Sequence, residues 1–267
     1  MKKYLSFFKI RFIAGIQYRA AALAGIVTQL AWGGMTLLMF RAFYQSNASA
    51  FPMTFEQLSS YTWMREAFLG MFMTWIFDME IFDSITSGSI AYQLCRPCDI
   101  YNMWFTKNMA TRLSNTLLRC VPILLIAVLL PEPFGIMPPP NAVSFALFLV
   151  SMLLGFLVLV AFSMLIYISA FFTVSPKGIR ILAVSVTELF TGDIIPIPFF
   201  PKVLQPFMYA QPFASMQNTP FLIYSGHTDI EQAFSGILLQ FVWLAVFLIF
   251  GRVLMKQALK KVVVQGG

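Results

Sequence analysis

The chain has 267 residues, of which 59% are hydrophobic and only 11% charged, and its mean hydropathy is +0.77. Soluble domains carry about a quarter charged residues and disordered chains lack apolar ones, so this balance excludes both and defines a polytopic membrane protein. The net charge of +7 does not indicate nucleic acid, because the basic residues stand at the ends of apolar runs and build no patch with interleaved aromatics.

The N-terminal residues 1–19 carry Leu5, Phe8, Phe12 and Ile16 at helical spacing, with Lys2, Ser6 and Lys9 on another side. That pattern predicts an elbow helix lying in the membrane interface, although a plain basic extension of the first spanning helix fits it equally well. Lys9, Arg11 and Arg19 interrupt the apolar stretch that a secretory signal needs, so these residues read as mature protein.

Spanning helices need about 20 mostly apolar residues each. Six stretches qualify, at about 20–43, 58–77, 113–130, 142–172, 178–195 and 234–254, and the expected fold is therefore all-α, a single transmembrane domain over 1–267. With an even number of spans both termini share a side. That side collects every Lys and Arg except Lys202, Arg41 and Arg65, so both termini are expected in the cytoplasm and the protein in the plasma (inner) membrane. Prolines cluster between Pro131 and Pro140 and between Pro196 and Pro220, both on the expected outer side. The second cluster is too proline-rich to span and too apolar for a free loop, which predicts short re-entrant or interfacial helices.

The sizeable cytoplasmic loop runs from about Asp78 to Arg112. Within it "SGSIAYQLCRP" places Ile90, Ala91 and Leu94 on one helical face, after Gly88 and before Arg96-Pro97, which ends the helix. A short helix with one apolar face suits a groove on a soluble partner, and suits a layer of lipid headgroups as well.

"ITSGSIAYQLCRPCDIY", lying between a spanning helix and the basic "KNMATRL", resembles the loop of ABC-2 type transporter membrane subunits of the six-span subfamily. "GDIIPIPFFP" and "QPFASMQNTPFLIYSG" resemble that subfamily's outer loop after the fifth span, so the likeness covers nearly the whole chain. Subfamily members often have a charged residue beside the loop glycine, where this chain has Ser89. The resemblance implies a coupling helix, with Gly88, Ile90, Ala91, Leu94, Arg96 and Pro97 docking on a separate ATP-binding subunit. It also implies a dimer with a second permease copy, identical or related, and export of substrate. The chain has no G-x-x-x-x-G-K-[ST] with which to cradle phosphates, so it binds no cofactor itself, and ATP and Mg are expected on the partner.

Glu188 lies inside the fifth apolar stretch, where an acid near mid-bilayer costs about 2.5–3.5 kcal/mol, so it is expected to face an interior. Ser185, Glu188 and Gly192 share a helical face with nearby Thr191, a candidate stretch of translocation path or, alternatively, a packing contact. Asp193, Pro196, Pro198 and Phe199 are the candidate outer gate. Arg65 and Glu66 point about 100° apart on a helix and are not expected to pair; Arg65 is read as snorkelling outward, and Glu66 as a water-exposed helix end in preference to a position facing the interior near the dimer axis.

Cys95 and Cys98 have a C-x-x-C spacing, but with Cys120 in a span and His227 outside, the further ligands of a metal site are missing. His227 and Asp229 read as solvated loop residues. Two other functions compete: a proton- or ion-coupled secondary transporter using Glu188 and Asp193, and a multi-pass membrane enzyme. Indifference to ATP and abolition by a protonophore would mark the first; the lack of a clustered polar site counts against the second.

Overall fold

A computed structural model describes residues 2–17, 19–173 and 175–260, so Lys261 of the basic set lies outside the described residues. All regular structure among these residues is helical. α1 (Lys2–Ile16) has no buried residue and lies along α7 (Ile100–Leu129); it exposes Leu5, Ile10 and Ile13. α2 (Arg19–Asn47) follows, and then α3 (Phe55–Ala67), which opens on a capping box in which Thr54 and Gln57 satisfy each other's backbone N–H.

The expected span 58–77 is not one continuous helix. α3 stops at Ala67, a single turn, α4 (Leu69–Phe72), follows, and the chain then runs irregularly to α5 (Met79–Thr86) and α6 (Ile90–Leu94). The break brings Gly70 against the backbone of α7, where an added Cβ would lie 3.1 Å from Asn115 and Thr116 main-chain atoms. Irregular backbone inside an apolar core needs partners for its carbonyls. Arg112 supplies them: it is fully buried, and its guanidinium donates to the carbonyls of Met71, Met73 and Ile76 and to Ser163 Oγ, while its Nε is held by Asn108 Oδ1 at 2.7 Å. Arg112 and Lys107 therefore do not belong to a solvated loop. The third helix begins at Ile100 rather than 113, after Asp99 caps it by accepting from Asn102 N at 2.8 Å.

α8 (Ala142–Ser169) is the central element, with 61% of its most apolar stretch buried against 22–33% for the other long helices. α11 (Asn218–Ser225) and α12 (Ile230–Leu259) pack on it. Gly155 of α8 permits a backbone approach that no other residue would, since a Cβ there would stand 2.0 Å from the Met216 carbonyl oxygen. Gln240 of α12 bridges the same junction, donating to Ser151 O and Ser215 O.

The fifth apolar stretch forms α9 (Pro176–Phe190), shorter than the expected 178–195. Gly192, at φ +78°, turns the chain out of it into a proline-rich segment containing α10 (Gln205–Ala210). Among the described residues four helices are long and apolar enough to cross a membrane: Ala22–Asn47, Ile100–Leu129, Ala142–Phe172 and Ile230–Leu259. The fold thus has a basic end, carrying α5 and α6, and a proline-rich end.

Candidate functional site

Ile81, Phe82, Ile90, Ile100, Trp104 and Tyr167 form one buried cluster at the basic end, where α5, α6, α7 and α8 meet. Ile90 is part of this core, only 1% exposed, and Trp104 Nε1 donates to Gln93 Oε1 at 3.0 Å, so α6 is fastened at both points. Ala91 is half-buried, whereas Tyr92, Leu94, Arg96 and Pro97 are exposed, and Gly88 stands in open space at φ +74°. Of the residues expected to dock on a partner, Ile90 anchors the platform instead. Tyr92, unremarked in the sequence, is its most exposed aromatic at 78%.

The platform is tied to its neighbours by charge. Lys107, itself buried, pairs with Asp78 and Glu80, and Arg11 of α1 approaches Glu80 at 3.6 Å. The hydrogen bond from Lys107, with its charge, holds the Glu80 carboxyl below the usual carboxylate range. Lys3 donates to the Pro97 carbonyl and Asp99 N donates to Tyr4 Oη at 3.0 Å, so α1 also grips the far end of the loop. Cys95 and Cys98 are free thiols, and the described residues contain no His, Cys, Asp and Glu grouping able to hold a metal.

A second polar site lies deep among α2, α3, α9 and α11. Arg65 and Glu66 do pair, through Arg65 Nη2 and Glu66 Oε1; Glu66 is buried and Arg65 half-buried, with side-chain exposures of 4% and 12%. Adjacent helix positions diverge at Cβ, but the guanidinium is long enough to fold back, and Asp193 O anchors it at 2.6 Å. Gln29 of α2 donates to Glu66 O at 2.9 Å. Tyr61 donates to Gly192 O and Asn218 Oδ1, at 2.9 and 3.1 Å, and Gln217 donates to Asp193 Oδ1 at 3.1 Å and Thr191 Oγ1 at 3.4 Å.

Thr191, Gly192 and Asp193 are therefore brought together, as their proximity in sequence suggests. Ser185 is exposed on α9, and Glu188 is only half-buried at the edge of the cluster. Tyr61, Gln217 and Asn218 were missed; Gln29, a polar residue inside an apolar span, carried a readable signal.

Pro196 and Pro198 are buried at the proline-rich end, and Phe199 packs against Phe40 and Phe51, with ring centroids 5.4 and 5.8 Å away. Gln205 Nε2 donates to Pro198 O and Phe200 O. Asp229 is solvent-exposed and also caps α12, its Oδ1 accepting from Gln232 N at 2.8 Å. His227 beside it is held below the ordinary histidine range by burial.

The long apolar helices among the described residues define a multi-pass membrane protein. The chain belongs to the ABC-2 transporter family: the family model for ABC-2 family transporter protein matches residues 30–266. No curated protein matches it. Membership makes the chain a membrane subunit of an ABC transporter, a transport component rather than an enzyme, and implies association with ABC ATP-binding subunits.

Proposed function

We propose that this subunit exports its substrate, driven by separate ATP-binding subunits that dock on the α5–α6 platform. The observation that carries the reading is the contrast within α6: Ile90 and Gln93 are fixed into the transmembrane core, while Tyr92, Leu94, Arg96 and Pro97 are left uncovered beside them. A contact that is rigidly mounted on the spans and open to a partner can transmit a partner's movement. Membrane lipid covers the other faces, and a second permease copy, identical or related, completes the pathway.

The chain crosses the bilayer six times in this reading. Four crossings are the long helices; α3–α4 and α9 supply the other two as interrupted elements whose loose carbonyls and turns are satisfied by Arg112 and by the Tyr61–Asn218 pair. α1 is the interfacial elbow, the α10 region is the re-entrant outer cover, and both termini are cytoplasmic in the plasma membrane. Ser185, Glu188, Thr191 and Gly192 line the path on the dimer side, and Asp193 with Pro196, Pro198 and Phe199 closes it outside. ATP and Mg bind the partner subunit.

Purification of the tagged chain in mild detergent, with mass spectrometry of stoichiometric partners, tests the coupling. An ATP-binding subunit accompanies the native chain and is lost from Leu94→Asp, whose exposed site leaves the fold intact. A native chain that purifies with no ATPase overturns the reading and returns attention to Glu188 and a proton gradient.

A further inference from the structure

Thr74, Trp75, Glu188, Thr191, Asp193 and Gln217 surround a narrow cleft at the edge of the deep polar cluster, with room for about one water-sized group. Two carboxylates meet there without a matching cation. The nearby Arg65 is occupied by Glu66 and by the main-chain carbonyl of Asp193, and Glu188 makes no ion pair or hydrogen bond. The Gln217 amide is already shared between Thr191 Oγ1 and Asp193 Oδ1. Independently, Thr74 is only 8% exposed and its Oγ1 has no hydrogen-bond partner. A buried hydroxyl of that kind calls for an occupant.

The cleft is therefore rich in acceptors, negative and small. An anion is repelled there, and among the described residues no three His, Cys, Asp or Glu side chains gather as a metal-ion site would have them. An ammonium group fits, with its N–H donors shared among Glu188, Asp193 and Thr74. Trp75, 43% exposed, adds an aromatic wall that favours a cation. Beyond the cleft, Leu182, Ser185 and Leu189 lie along one exposed face of α9, with Glu188 at its margin, so a body attached to the ammonium would run over apolar surface. We infer that the Thr74–Glu188–Asp193 cleft binds the protonated amine of an amphipathic substrate, whose apolar part lies along α9. The inference rests on the reading of α9 as part of the transport path.

The test uses the full chain in lipid nanodiscs and radiolabelled methylammonium as the probe, with no nucleotide or partner present. Saturable binding is expected, weakened about tenfold or more by Glu188→Gln and by Thr74→Val, and unchanged in Glu231→Gln. Octylammonium displaces the probe at about tenfold lower concentration than unlabelled methylammonium, and octanol does not displace it. Each variant is compared at equal melting temperature and elution volume, and Glu188→Asp restores part of the binding.

Absence of saturable binding to the native chain, or full binding by Glu188→Gln, overturns the site. Displacement by sodium as effective as by ammonium makes it a bare-cation site and overturns the amine assignment, and octylammonium no better than methylammonium removes the amphipathic substrate. Because the probe binds without the ATPase, a failure here alongside normal co-purification leaves the coupling reading intact.

Discussion

Arg65 and Glu66 show how far a local rule reaches. Consecutive helix positions diverge by about 100°, which argues against pairing, yet the two side chains meet because Glu66 is shut away from water and Asp193 O holds the guanidinium in place. A buried pair of this kind is costly to break from one side. Arg65→Met and Glu66→Met are each expected to destabilise the chain by about 3–5 kcal/mol, each leaving one group unpaired. The double variant Arg65→Met/Glu66→Met is expected to recover part of that loss, with a coupling of about 1–3 kcal/mol. Thermal denaturation followed by size-exclusion in detergent measures all three, and strictly additive losses would contradict the pairing.

Among the elements, the interrupted second stretch matters most. Leu58 to Phe77 reads as one apolar run because hydropathy is blind to which carbonyls lack an amide partner; the answer lay in Arg112, about 40 residues further on. Arg112→Met removes the donors and leaves buried carbonyls unpaired, with an expected loss of at least about 3 kcal/mol, read as a lowered melting temperature. Arg112→Lys recovers little, since one ammonium cannot reproduce the guanidinium fork.

α5 invites a pH experiment. Lys107 lowers the Glu80 pKa in the folded chain, so the stabilisation is complete above the ordinary carboxylate range and is lost as pH falls through the lowered value. The melting-temperature gap between the native chain and Glu80→Gln is thus expected at neutral pH, to close on acidification and to shrink in high salt, because Glu80 is 73% exposed at its side chain.

For the whole molecule, orientation is the prediction with widest reach. In a cysteine-free background, Tyr92→Cys should be labelled by an impermeant maleimide only from the cytoplasmic face, and Val203→Cys, at a position 89% exposed, only from outside. Labelling of both from one side would remove the six-crossing arrangement. Along the chain, α5 and α6 precede α7 and the first proline cluster follows it.

The sequence by itself determined the membrane class, the presence of long apolar helices within its six expected spans, the short α6 between Gly88 and Arg96-Pro97, and the family, because composition, periodicity and turn residues are local properties. Tertiary structure alone decided that Ile90 anchors rather than docks, that Arg112 sits in the core, and that Thr191 to Asp193 meet Tyr61, Arg65 and Gln217. Those outcomes depend on pairing polar groups far apart in the chain. In an apolar core such groups are satisfied by whichever partner the fold delivers, and no window of sequence contains both halves of the pair.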